Sequence, residues 1–199
     1  QVIRSTKKGL RDKGKALAKL FADGFKHRSL IELKGFLGHS DQRVRQAAQF
    51  AMVAKGEASI TQFEKVLEDK SSSLYTKLHA LWGLGQLGRM SHSKLVEPII
   101  VSSFENEEIE IRANVARVVG EMKLRSAIPN LIGLLSDPSP RVASLASIAL
   151  GKAGLRGDAS TVAALWKAVS LNTGSKFDVV LRHSFISALD RLVTPEQII

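Results

Sequence analysis

Apolar and small residues return along this chain at one helical spacing, and the pattern repeats about every thirty to forty residues. Aligned on a position that is usually basic, five segments share it: 41–48 around Arg45, 73–80 around Lys77, 108–115 around Arg112, 139–146 around Ala143 and 178–185 around Arg182. The anchors lie 32, 35, 31 and 39 residues apart. Positions −1, +3, +6, +7 and +10 from each anchor are mostly apolar or small, and these offsets trace one stripe of a helix with about 3.6 residues per turn. That stripe is the face each segment is expected to bury. Gly56, Gly88 and Gly154 stand eleven residues past their anchors and are expected to end their helices in a left-handed turn.

A second, more weakly periodic helix is expected ahead of each anchor segment, over 29–37, 60–67, 95–104, 128–135 and 162–169, two of them behind proline starts at Pro98 and Pro129. One helix pair cannot bury its apolar face alone and is stabilised by stacking on its neighbours. The pattern therefore predicts an all-α fold, a right-handed α-α superhelix of about five helix pairs. Its repeats fall near 29–56, 57–89, 92–123, 125–155 and 159–193, behind a basic N-terminal helical cap over 1–28.

Composition supports stacked helices: of 199 residues 44% are hydrophobic but only 6% aromatic, so the packing rests on small side chains. No apolar run approaches the roughly 20 residues that span a bilayer. The absence of cysteine removes disulfides, thiolate ligands and cysteine nucleophiles from this stretch without naming a compartment. The chain begins with Gln1 and stops just after a helix-start signal at Thr194-Pro195-Glu196, the appearance of a piece of a longer protein. The net charge of +10 is local, since residues 1–34 hold ten Lys and Arg against three Asp and Glu, a balance of +7. Most of it lies on a helix expected over 7–26, with Leu10, Leu17, Leu20 and Phe21 inward. Such a face is either a solvated cap or a patch for phosphate, acidic protein or lipid headgroups, and no base-stacking array accompanies it.

Catalytic chemistry is hard to find. The five histidines are scattered without a metal-ligand spacing, and Gly83, Gly85 and Gly88 have nearly the spacing of a dinucleotide fingerprint but no strand before them. No catalytic residue, cofactor or metal is therefore expected. The residues Asp41, Arg45, Lys77, Glu108, Arg112, Asp178 and Arg182 form a structural ladder in which an acid caps the second helix and the base four positions on reaches its own or the neighbouring repeat's carboxylate. In the fourth repeat Ala143 removes the base, and Asp137 lies farther upstream. The second helices are expected to line the concave surface, where Phe50, His79, Trp82, Arg117 and His183 form the candidate interaction surface.

The run from Asp137 to Gly154 resembles a HEAT repeat of the short bacterial type, with 130–135 resembling its first helix. More narrowly, 43–51, 77–89 and 181–189 are similar to the HEAT-repeat region of large secreted planctomycete and verrucomicrobial proteins, which links a dehydrogenase-like β-propeller to a c-type cytochrome domain. That resemblance implies a periplasmic or envelope scaffold whose haem and oxidoreductase activity reside elsewhere in the parent chain. The resulting expectation is a non-catalytic protein-binding or scaffolding domain. The alternatives are a nucleic-acid binder resembling HEAT-fold DNA glycosylases and a protein resembling HEAT-type phycobilin lyases.

Overall fold

The computed structural model describes residues 8–197; Lys7 and the side chains of Lys8, Leu10 and Arg11, which belong to the expected basic helix, lie outside what it describes. Within this range the chain is helical, without strands. Helix α1 spans Lys8–Asp23, and five pairs follow: α2 Leu30–Phe36 with α3 Gln42–Val53, α4 Ile60–Glu68 with α5 Leu74–Leu87, α6 Ser93–Ser102 with α7 Ile109–Met122, α8 Ile128–Leu134 with α9 Pro140–Ala153, and α10 Ala159–Leu171 with α11 Val179–Leu192. Each first helix packs on its own second helix. The second helices stack in chain order, α3 on α5, α7, α9 and α11, and the first helices meet in a parallel layer through α2, α4 and α6 and through α8 and α10.

The stacked layer is held by the apolar stripe. Ala48, Ala80, Val115, Ala146 and Phe185, all three residues past their anchors, are buried, as are Met52, Leu84, Val119, Leu150 and Leu189 at seven past. Small residues set the spacing between repeats. Gly85, Gly120 and Gly151 occupy the eighth position, and each faces the sixth position of the next repeat: Val118, Ala149 and Ala188. A methyl group at Gly120 would stand 2.7 Å from the Cα of Ala149, so α7 and α9 approach backbone to backbone. Tight repeat stacking here requires glycine.

Helix ends depart from the sequence expectation. Of the three glycines eleven past an anchor, Gly56 alone has a positive φ, at 67°. Gly88 keeps right-handed φ and ψ of −60° and −37°, because α5 runs into the π-helical turn Gly88–His92 and thence into α6. Helix α6 accordingly starts at Ser93, and Pro98 lies inside it rather than at its start, where its missing N–H removes one helical bond. Gly154 is extended, with φ −67° and ψ 161°, pressed against Leu192. The left-handed cap eleven residues past an anchor falls instead on Lys123, at φ 53°.

The N-terminal end is closed by α1, whose Leu17 and Leu20 pack on the core. Phe21, Phe25 and Phe36 meet edge to face, with Arg28 over the last two rings. Lys13, Lys15 and Lys19 point into solvent and form no ion pair among the described residues.

Candidate interaction site

Side chains from three consecutive second helices converge on one depression of about 230 Å³, lined by Gln42, Gln46, Gln49 and Phe50 of α3, His79, Trp82 and Gln86 of α5, and Arg117, Val118 and Glu121 of α7, with Arg89 at its edge. Four of the five candidate surface residues meet here. His183 does not: it is exposed on α11, two repeats away. The floor of the depression is a hydrogen-bonded chain. Gln49 Nε2 donates to Gln86 Oε1 at 3.0 Å, leaving Gln49 Oε1 to accept from His79 Nδ1 at 2.7 Å. Burial first, and then the positive charge of Arg45, pushes the His79 imidazole down to about 4, so it is neutral near pH 7. Named among the candidate surface residues, it is instead 4% exposed, covered by α3 of the preceding repeat.

Trp82 is held by three neighbours. Its Nε1 donates to Asn114 Oδ1 at 2.9 Å, its ring meets His79 edge-on at 5.0 Å, and the Arg117 guanidinium lies 5.4 Å over it. Asn114 is held in turn by donating to Glu110 O, so the indole joins α5 to α7. Arg117 and Arg89 share Glu121, at 3.8 and 2.9 Å. Phe50 makes no such contacts and is 49% exposed at the rim. A rigid polar floor with one free aromatic at its edge can grip an extended peptide or a protruding side chain. Nothing in it supplies an activated nucleophile.

The structural ladder is wired differently from its sequence reading. Asp41 caps α3 by accepting from Arg43 N, and its partner is the Arg43 guanidinium at 2.7 Å, not Arg45; that pairing holds its carboxyl at about 2. Asp178 caps α11 through Val180 N and Leu181 N, whereas Glu108 makes no side-chain cap. Lys77 and Arg182 form no ion pair among the described residues. Two of the three anchor arginines, Arg45 and Arg112, turn back onto the loop before their own helix. Arg45 Nη1 donates to the carbonyls of His39 and Ser40 at 2.8 and 3.0 Å, and Arg112 Nη1 to those of Asn106 and Glu107 at 2.8 and 3.1 Å. These carbonyls are six and five positions before the anchor in both repeats. Arg112 also reaches across to the next repeat, where Asp137 accepts from its Nε at 2.7 Å and its Nη2 at 3.1 Å. Burial alone would raise the Asp137 carboxyl, but Arg112 and the Ser139 N–H together hold it below the usual carboxylate range.

Residues 96–190 match the family model for HEAT repeats. That match covers slightly under half of the chain. Solved structures agree on the helical-repeat fold. It is similar to the complex of CpcE and CpcF of phycocyanin lyase from Nostoc sp. PCC7120 (TM-score 0.59, 18% identity, 83% of this chain and 65% of that one). It is also similar to human deoxyhypusine hydroxylase in complex with glycerol (TM-score 0.54, 20% identity, 82% and 62%). A third likeness is to a designed armadillo repeat protein in complex with the peptide (KR)4 (TM-score 0.51, 17% identity, 96% and 95%). The chain thus spans slightly less than two thirds of the first two, at 65% and 62% of their lengths. No curated protein matches it in sequence. Among the described residues no helix is long and apolar enough to cross a membrane, and no group of three or more His, Asp or Glu is placed to hold a metal ion.

Proposed function

We propose that this HEAT-repeat stack is a non-catalytic protein-binding or scaffolding element that receives a partner segment on the ridge formed by α3, α5 and α7. The observation that carries this reading is the depression in which Trp82, Arg117, Gln49 and Gln86 form a pre-organised floor beside the free ring of Phe50. Binding there would order few side chains, because the floor is already fixed before a partner arrives. Trp82 belongs to the stack and Phe50 to the partner. Cross-linking of the wild-type chain and a Phe50→Ser variant to proteins of the source cell provides the test. Adducts that recur at the ridge and vanish in the variant, while its melting temperature holds, support the reading; adducts unaffected by the change refute it.

The finer assignment follows the resemblance of 43–51, 77–89 and 181–189 to HEAT regions of envelope proteins. In it the chain joins a dehydrogenase-like module to a cytochrome module, outside the cytoplasm, and carries no cofactor of its own. A reduced-minus-oxidised spectrum of the full-length natural protein tests it, a c-type haem signature being expected. The fold likeness to the CpcE and CpcF complex favours a second reading, a phycobilin-lyase-like protein. A red-shifted absorption on mixing with a bilin would favour that alternative over the scaffold.

A further inference from the structure

A cavity of about 700 Å³ opens between the fourth and fifth repeats, away from the ridge and independent of it. One wall is Leu135, Ser136, Asp137, Pro138 and Ala143; the other includes Ala164, Lys167, Leu171, Leu181 and Phe185. Its position in the repeat explains it. In the first and third repeats the anchor arginine fills this place, its Nη1 bonded to the two loop carbonyls six and five residues upstream. In the fourth repeat the anchor is Ala143, the corresponding carbonyls belong to Asp137 and Pro138, and no side chain among the described residues donates to them. The Asp137 carboxylate stands beside them, its Oδ1 accepting from Arg112 Nη2 and Ser139 N and its Oδ2 from Arg112 Nε alone. A carboxylate oxygen accepts about two hydrogen bonds, so Oδ2 retains one acceptor position.

We infer that this cavity is a receptor for a guanidinium group, occupied by an arginine side chain of a partner polypeptide that takes the place of the missing anchor. The chain's own repeats supply the template: the same backbone positions bind a guanidinium twice within the molecule. A planar fork of donors suits two adjacent carbonyls and a carboxylate oxygen, which an ammonium point charge matches less well. The apolar walls from Leu135, Leu181 and Phe185 accept the aliphatic stem. Lys167 opposes a cation, but it is exposed at the rim and free to swing into water.

The test is a titration of the ¹⁵N-labelled chain, followed by amide chemical shifts, with N-acetyl-arginine amide and with its uncharged isostere N-acetyl-citrulline amide. Shifts confined to residues 135–143 and 164–172 are expected, with a Kd on the order of millimolar for so small a fragment. The citrulline analogue is expected to bind at least about tenfold more weakly, and Lys167→Ala to bind the arginine amide about two- to threefold more tightly. Ala143→Arg, which carries its own guanidinium, is expected to abolish the response. Equal binding of the citrulline analogue, shifts elsewhere in the molecule, or an unchanged response in a folded Ala143→Arg variant would overturn the assignment. Should that variant not fold, the two ligands and Lys167→Ala still decide. Tighter binding of free L-arginine than of the capped amide, with the gain lost in Lys167→Ala, would reassign the site to the free amino acid.

Discussion

The depression over α3, α5 and α7 and the cavity between the fourth and fifth repeats arise on the same scaffold in opposite ways. In the first, side chains from three repeats fill and satisfy one another, so that Trp82, His79, Gln49 and Gln86 leave a shallow, rigid floor. In the second, one anchor side chain is reduced to the methyl of Ala143 and the space it would fill stays open. A repeat protein can therefore make a binding surface by adding side chains that reach across repeats or by omitting one whose backbone subsite persists. The first route depends on the stack for its shape. The second needs a single substitution.

The largest effect is expected from making the third repeat resemble the fourth. Arg112→Ala strips the partner from Asp137, whose side chain is only 5% exposed, and frees the two loop carbonyls. A loss of about 3–5 kcal/mol in urea unfolding is expected, and a loss below about 1 kcal/mol would show that the clamp is not what holds this junction. Next is the pH dependence of the ridge. The His79 pKa of about 4 lies below its ordinary unfolded value near 6.5, so the unfolded chain binds the extra proton first. The stability contributed by neutral His79 is complete above pH 6.5 and is lost as pH falls toward 4, by up to about 3 kcal/mol. His79→Gln should flatten that part of the stability profile relative to wild type; identical profiles would contradict the burial of a neutral imidazole.

A smaller gain is expected in the first repeat, where Arg45 Nε is buried without a hydrogen-bond partner and its guanidinium lies 5.2 Å over Tyr75. Ser71 occupies the position that Asp137 fills for Arg112, six before the next anchor. Ser71→Asp is expected to raise stability by about 0.5–1 kcal/mol, and a decrease would mean that the second-repeat loop cannot present a carboxylate there. Phe50→Ala should change stability least, by about 0.5 kcal/mol or less, because the ring is half exposed. A thermal melt separates that outcome from a structural role.

The helix pairs and the buried stripe could be read from the chain because both repeat at fixed offsets, and the stripe from Ala48 to Phe185 lies where the periodicity places it. Gly85, Gly120 and Gly151 also share an offset, but only the packing shows that they form a seam and what each meets. The wiring of the anchors was not. Arg112 and Asp137 are 25 residues apart, and their pairing depends on how one repeat docks on the next. His79 misled because its exposure is decided by Gln49 of the preceding repeat and not by its own helix. The most useful signal at the cavity was the single anchor that is not basic, Ala143. In the sequence it reads as a departure from pattern, and its meaning emerges once the carbonyls that an anchor arginine binds are known.

The most direct measurement is the thermal melting of Ala143→Arg beside wild type at neutral pH. A side chain that completes a pre-built guanidinium subsite is expected to raise the melting temperature by about 2–4 °C, corresponding to about 1 kcal/mol in a chain of this size. A fall of several degrees would mean that the fourth repeat does not retain the anchor subsite, and the cavity would then be a packing defect and not a receptor.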